Sequence, residues 1–406
     1  MQIAILGAGF VGLTAAYRLL KKGHRVTIFE KGKSVGGLAA GFREKDWDWH
    51  LEYFFHHLFT SDTAIYSLIS ELGLKENLFY LKPKTSIFYN GKIYQFDSPL
   101  SVLRFSPLNP GERLRVGLVT FFLKISSNWQ KLEKIEAVPW LKKYYGERAY
   151  QILWQPLLKS KFGNQAEKIA MSWFWARIKK RSRKLGYLKG GFQVLIEKLT
   201  QEIKKNGGKF YLNSPITTLD ALKRFDKFDR IIITTPTAIF FKEKKLPEMI
   251  GAVNLILVLK HQFLNDNTYW LNINDPGFPF VALVEHTNFV EKKHYGGHHL
   301  LYVGGYYPQN HRYFKISKEQ IFKEFLPYLQ KINPNYQFST INYHLFRNPF
   351  AQPVIPVNYS KSIPPHQTPI PHVFLANMQQ VYPWDRGTNY AVELGEKIAD
   401  EVQNSQ

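Results

Sequence analysis

Residues 1–40 read MQIAILGAGFVGLTAAYRLLKKGHRVTIFEKGKSVGGLAA, and this stretch decides the fold. A short apolar run at 3–6 flows into Gly7-Ala8-Gly9-Phe10-Val11-Gly12. An apolar stretch at helical spacing follows and breaks at Gly23; a second apolar run, 25–29, ends at Glu30. This is a strand–helix–strand unit with the G-x-G-x-x-G fingerprint at its first turn and an acid closing its second strand. Gly7 permits the tight turn, Gly9 lets a pyrophosphate approach the backbone, and Gly12 lets the helix pack close to the sheet. The free N–H groups and dipole at the helix start favour the anion. Glu30 accepts hydrogen bonds from a ribose diol and repels a 2′-phosphate. The glycines alone are a weak signal; here both strands, the helix and the acid agree with them.

The chain of 406 residues is long enough for two domains or one interleaved one, and 45% hydrophobic content supports a sizeable core. The absence of cysteine excludes disulfides, thiolate nucleophiles, zinc–thiolate sites and Fe–S clusters. A net charge of +22 favours anionic partners: phosphorylated substrates, nucleic acid or an acidic membrane surface. The lysines are spread along the chain, so a solvated surface is the preferred reading. The densest run, KKRSRK at 179–184, has no interleaved aromatics and lies in no nucleic-acid motif. No nucleic-acid partner is therefore expected; contact of this run with phosphate stays open. The N-terminal apolar run lacks a basic segment before it and reads as a strand, not a signal peptide. No apolar stretch reaches about 18 residues, so no spanning helix is expected. The best membrane candidate is 114–125, LRVGLVTFFLKI. It is short and charged, and a buried helix is preferred to one lying on a membrane surface.

Farther along, 54–60 (FFHHLFT) is an aromatic–histidine cluster, followed by a helix capped at Ser61 or Asp62 and stopped at Gly73. Residues 74–100 read as short strands turning at Asn90-Gly91, and 101–160 as helices punctuated by prolines. Phe192, Leu195, Ile196, Leu199 and Ile203 fall at helical spacing after Gly190-Gly191. Strands follow at 209–213 and 229–234, and alternating strands from 254 onward suggest a second sheet. The quartet Glu285-His286-Thr287-Asn288 is either a set of polar groups in an apolar pocket or a capped turn. His294, His298 and His299 are separated by Gly296-Gly297 and lack a carboxylate at matching spacing, so no metal site is expected.

The Gly36-Gly37-Leu38 turn just past the second strand, the Gly190-Gly191 return and the ending YPWDRGTNY at 382–390 carry a resemblance. They are similar to motifs of the flavin amine oxidase, protoporphyrinogen oxidase and phytoene desaturase superfamily. The resemblance implies an α/β fold, a Rossmann-type FAD-binding domain interleaved with an α+β substrate domain. The FAD-binding part would be 1–55, 186–245 and 350–406; the substrate domain would be 56–185 and 246–349. It implies non-covalent FAD, with Gly36, Gly37 and Leu38 close to the cofactor and Ile216 meeting the adenine through its backbone. The helix start at Gly387, Thr388, Asn389 and Tyr390 would face the isoalloxazine and favour the negative charge that develops on reduction. Trp384 would wall the flavin or belong to the core. Two departures stand out. The arginines usual beside the glycine pair are replaced by Ser34 and Leu38, and the acid that bonds the ribityl chain is missing, with Asn377 or Gln379 in its place.

The implied activity is that of an FAD-dependent oxidoreductase, oxidase or desaturase, taking hydride from an organic small molecule to flavin N5. His57 and His286 are the candidate catalytic residues; for His57 a structural role at a domain boundary weighs equally. No second G-x-G-x-x-G appears, so an NAD(P)H site is not expected. An alternative is a non-redox flavoenzyme resembling UDP-galactopyranose mutase, whose His-x-Phe segment is similar to His57-Leu58-Phe59. A third is a flavin-binding module docked on a membrane or polyprenyl-phosphate assembly. The expected location is the cytoplasm, with peripheral attachment at the inner face of the membrane left open.

Overall fold

The computed structural model describes residues 1–241 and 247–405. A five-stranded parallel sheet runs in the order Lys209–Tyr211, Arg25–Phe29, Gln2–Leu6, Arg230–Ile233, Val373–Leu375. Leu6 sits opposite Phe29 on one side and Ile233 on the other. Ile3, Ala4 and Ile5 are fully buried, as continuous apolar strands are when both sheet faces are covered. Helices Phe10–Lys21, Phe192–Lys205 and Thr388–Asn404 cover one face. Phe225, Phe228, Phe240 and Phe241 pack beneath the other.

Glycine sets the closeness of this layer. Gly7 has a φ of +113°, in the left-handed region that favours glycine, and a Cβ on Gly12 would lie 2.0 Å from the Gly7 carbonyl oxygen. A Cβ on Gly395 would lie 2.7 Å from the Val11 carbonyl oxygen and from Thr14 Cβ. Helix Thr388–Asn404 therefore lies directly on helix Phe10–Lys21.

A seven-stranded mixed sheet faces this module. Its order is Thr340–Pro353, Met249–Leu259, His299–Tyr307, Ala282–Glu285, Thr268–Ile273, Lys84–Tyr89, Lys92–Gln95. Strand Thr340–Pro353 pairs with Met249–Leu259 and runs across the expected boundary at 350. The expected boundary between 245 and 246 lies outside the described residues, as does residue 406. The prolines of the helical region fit its helix starts: Pro110, Pro139 and Pro156 all fall in first turns.

Helix Pro110–Ile125 corrects the expectation of a buried helix at 114–125. Its only buried residues are Val116 and Leu123. Its apolar positions cover a wider arc than the stripe that neighbouring helices can cover, and the remainder faces outward.

Glu52 ties the start of helix Phe192–Lys205 to strand His299–Tyr307 of the seven-stranded sheet and was not anticipated from the sequence. It is 1% exposed. Its carboxylate accepts from the Phe192 amide at 2.7 Å and the Tyr187 hydroxyl at 2.8 Å, and Tyr302 donates to its carbonyl at 2.7 Å. Burial pushes the carboxyl up to about 7, against the ordinary 4.5. The folded state thus holds this proton longer than the unfolded chain, and stability falls as pH rises from 4.5 through 7. Glu52→Gln keeps an acceptor for Phe192 and removes the ionisation. Thermal denaturation across this window should find the variant level with the parent in acid and more stable, by about 1–3 kcal/mol, above neutrality.

Candidate active site

Two helix starts meet at the carboxyl edge of the parallel sheet. Helix Phe10–Lys21 begins after Gly9 and helix Thr388–Asn404 after Gly387; neither has a side-chain cap or an acid in its first turn. The third helix of that face, Phe192–Lys205, has Glu52 on its first amide. Uncapped amides present partial positive charge to whatever lies beyond them. Space lies there too. A Cβ on Gly9 meets nothing within 4 Å, and one on Gly387 meets only Tyr390 Cδ2 at 4.0 Å.

At the Gly9 end, Glu30 accepts from the Ala8 amide at 2.9 Å and the Gly32 amide at 2.8 Å. Each carboxylate oxygen keeps a further lone pair. The Gly36 amide donates to the Ala8 carbonyl at 2.8 Å, and a Cβ on Gly37 would lie 3.2 Å from Gly9 Cα. The Gly36-Gly37-Leu38 turn therefore rests on the first glycine loop. The Ser214 amide donates to the Glu30 carbonyl at 2.9 Å and carries Ile216 to the same place. Among the described residues, Ile216 has no backbone partner for its amide or carbonyl. Gly7, Gly9, Gly12, Glu30, Gly36, Gly37, Leu38 and Ile216 are thus brought together.

At the Gly387 end, Trp384 stacks between Trp175, 5.3 Å away, and Tyr390, 6.3 Å away. Lys180 Nζ lies 4.5 Å from the Trp384 ring centre. Asp385 beside it holds Arg177 at 2.7 Å and Lys161 at 3.5 Å. Lys161 is almost wholly buried; burial pulls its ammonium well below the ordinary lysine value, against the raising effect of Asp385. Burial would raise the Asp385 carboxyl, but the cations Lys161, Arg177 and Arg386 outweigh it and hold the carboxyl well below its usual range. Arg386 donates to the Tyr306 hydroxyl at 2.7 Å, and its Nε is buried with no partner among the described residues. Three cations around one carboxylate leave net positive charge beside a helix start, which suits an anion or a developing negative charge.

His57 stands on the loop between these ends. Burial, with Arg181 and His56 as neighbours, lowers its pKa to about 3, so the ring is neutral. Its Nδ1 is buried without a partner among the described residues. Phe59, Trp270 and Tyr269 surround it with ring centres 5.3–6.4 Å away. Arg181 is accessible by surface area, yet enclosing protein, and then Arg177, pull it down to about 10. That combination describes a group lining a recess.

Other expected residues are placed differently. His286 is 3% exposed, bonds Tyr295 Oη at 2.7 Å, and sits in an aromatic core with Tyr187 and Tyr302. Its neighbours Glu285, Thr287 and Asn288 bond the backbone at 263–268 and at Leu300, so the quartet works as a structural turn. Asn377 donates to the Thr235 carbonyl and Thr237 Oγ1 and accepts from the Gln379 amide, while Gln379 accepts from the Thr237 amide and donates to the Pro247 carbonyl. Both amides clamp the end of strand Arg230–Ile233; Asn377 has both N–H groups engaged, while Gln379 uses one of its two. Asn389 accepts from the Ile65 amide at 3.2 Å, capping helix Thr63–Glu71, while Thr388 is buried at the helix start. His294 stacks on Trp49, and His298 pairs with Asp46 at 3.2 Å. Lys161 and Arg177 were missed from sequence, since no spacing marks them; Arg181 lies in the basic run at 179–184 that the sequence did mark.

A glycine turn and a closing acid at the carboxyl edge of a parallel sheet are the geometry of a dinucleotide-binding protein. A family model for flavin-containing amine oxidoreductases matches residues 10–403. The chain belongs to that family, and its cofactor is FAD. Among curated relatives, zeta-carotene desaturase of Synechocystis is 32% identical over 124 residues, 30% of this chain and 23% of that protein. The chain spans only 16–26% of the length of the carotene desaturases it matches first. Cyclohexylamine oxidase from Brevibacterium oxydans shares the fold at a TM-score of 0.75 and 15% identity, over 99% of this chain and 98% of that one. Reduced UDP-galactopyranose mutase does so at 0.73 and 14%, over 100% and 96%. The open backbone at Gly9 and Gly387, the unpartnered Ile216 and the orphaned Arg386 Nε fit FAD along this edge.

Two outcomes follow. Glu30→Ala strips the Ala8 and Gly32 amides of their acceptor and should weaken FAD retention on the order of tenfold or more, read by equilibrium dialysis. Asp385→Asn leaves Lys161 and Arg177 without a counter-charge and should cost about 3 kcal/mol near neutral pH in urea unfolding. That deficit should shrink in alkaline buffer, where Lys161 sheds its proton in the folded state before the unfolded chain does.

Proposed function

We propose that this chain is an FAD-dependent oxidoreductase of the oxidase or desaturase type, taking hydride from an organic small molecule. The observation that carries this reading is the pair of uncapped helix starts on one sheet edge, in a chain matched across 10–403 by the flavin family. Bound FAD supplies the hydride-accepting ring. The FAD-binding part is 1–55, 186–245 and 350–406, with the remainder forming the substrate side.

Gly7, Gly9, Gly12, Glu30, Gly36, Gly37, Leu38 and Ile216 hold the adenosine diphosphate half. The backbone from Gly387 to Tyr390, with Trp384 alongside, receives the ring. The cations Lys161, Arg177 and Arg386 stabilise negative charge there. His57 is neutral and faces the substrate side, where Phe59 and Trp270 exclude water; it orients substrate through Nδ1 and does not serve as an acid. The protein works on the cytoplasmic side, at the inner face of the membrane. Among the described residues no helix is long and apolar enough to cross one.

Purified protein, unfolded in guanidinium, should release a yellow chromophore with flavin absorbance in stoichiometric amount. A colourless preparation that also fails to take up added FAD overturns the reading. Turnover of UDP-galactopyranose by the reduced protein, with no oxidation of any amine or polyene offered, would favour the mutase alternative.

A further inference from the structure

Among the described residues, every large apolar side chain more than half exposed lies in two adjoining helices. Leu114, Leu118, Phe121, Phe122 and Ile125 of helix Pro110–Ile125 are 55–63% exposed. Their spacing of four, three, one and three residues puts them on one helix face. Leu100 and Leu103 of helix Pro99–Leu103 extend the patch, tied to it by Arg113, which donates to the Leu103 carbonyl at 3.0 Å.

The basic run at 179–184 meets this patch. Lys124 Nζ, near the end of the apolar helix, donates to the carbonyls of Ile178, Lys179 and Arg181 at 2.5–3.2 Å. Lys179 Nζ returns the contact to the Ile125 carbonyl at 3.1 Å. Arg183 and Lys184 are exposed beside it. Residues 99–125 carry four basic side chains against the single acid Glu112, and 179–184 carry five basic and no acidic ones. The two stretches lie more than 50 residues apart in the chain, yet share one edge. A helix of 16 residues is about 24 Å long, and its far side is anchored by Val116 and Leu123. It can only lie along an interface.

We infer that helices Pro99–Leu103 and Pro110–Ile125 dock on an anionic lipid bilayer, apolar face down, with the run at 179–184 on the headgroups. Broad apolar contact bordered by cations is the chemistry of an interfacial helix on acidic lipid. The patch lies one helix away from the candidate active site. Helix Met171–Lys180 packs beneath it, Trp175 Nε1 donates to the Ser126 carbonyl at 3.1 Å, and the same Trp175 stacks on Trp384. Docking this way sets the substrate side against the bilayer and suits a lipid-soluble substrate. The inference deepens the placement at the membrane proposed above and rests on it.

The test is flotation of the FAD-loaded full chain with phosphatidylcholine vesicles, with and without phosphatidylglycerol. The parent should float with the anionic vesicles and lose binding as salt rises. Leu118→Glu/Phe121→Glu should reduce partitioning by roughly tenfold or more, and Arg183→Glu/Lys184→Glu should abolish the preference for anionic lipid. Flavin content and melting temperature should stay at parent values in both, since these side chains are exposed. If the parent floats and the Leu118/Phe121 variant floats equally, the docking face is wrong while membrane placement stands. If the parent does not float, both fall. A parent dimer dispersed by Phe121→Glu without vesicle binding assigns the patch to a second copy and overturns the inference.

Discussion

The contact between helix Phe10–Lys21 and helix Thr388–Asn404 governs this structure. At Gly395 the two backbones approach closer than a methyl group allows, with Val11 and Thr14 on the other side. Because each helix follows a strand of the same parallel sheet, close packing aligns their starts on one edge. One start faces the glycine loop and Glu30; the other faces the aromatic and cationic cluster around Trp384 and Asp385. A ligand long enough to touch both must lie across the sheet edge, so its two halves meet different chemistry: bare backbone at one end, aromatic walls and fixed cations at the other.

Several polar groups around that edge are engaged in holding the fold. Glu52 caps the third helix, Asn389 caps helix Thr63–Glu71, and Asn377 with Gln379 clamps a strand end. Buried polar atoms without a partner among the described residues occur at the candidate site, at His57 Nδ1 and Arg386 Nε, and also elsewhere, at Trp47, Arg230 and Gln352 among others. What distinguishes the edge is the pair of uncapped helix starts with open space beyond Gly9 and Gly387.

Local patterns were legible in the sequence and long-range ones were not. The first strand, helix and second strand lie where 1–40 place them, and the five apolar positions of helix Phe192–Lys205 are all fully buried. The turn at Asn90-Gly91 has both residues at positive φ, as that dipeptide suggests. The Asp385 cluster was invisible because its members come from 161, 177 and 385, and only tertiary packing unites them. His286 looked functional because a polar residue after an apolar strand reads the same whether it faces a cavity or an aromatic core. The helix at 114–125 was misread for a related reason. Its apolar positions spell a buried face, and the sequence does not say whether protein covers it.

The sheet order also constrains how the chain is made. Strand Gln2–Leu6 lies between Arg25–Phe29 and Arg230–Ile233, and the edge beyond is filled by Val373–Leu375. During synthesis strand Gln2–Leu6 therefore waits for its second partner more than 200 residues away. The apolar face of helix Phe10–Lys21 waits longer still, until helix Thr388–Asn404 emerges. Such non-local pairing slows folding and leaves apolar surface uncovered meanwhile. A chain of this topology broken off before 388 lacks the helix that covers Phe10–Lys21 and leaves that apolar face bare.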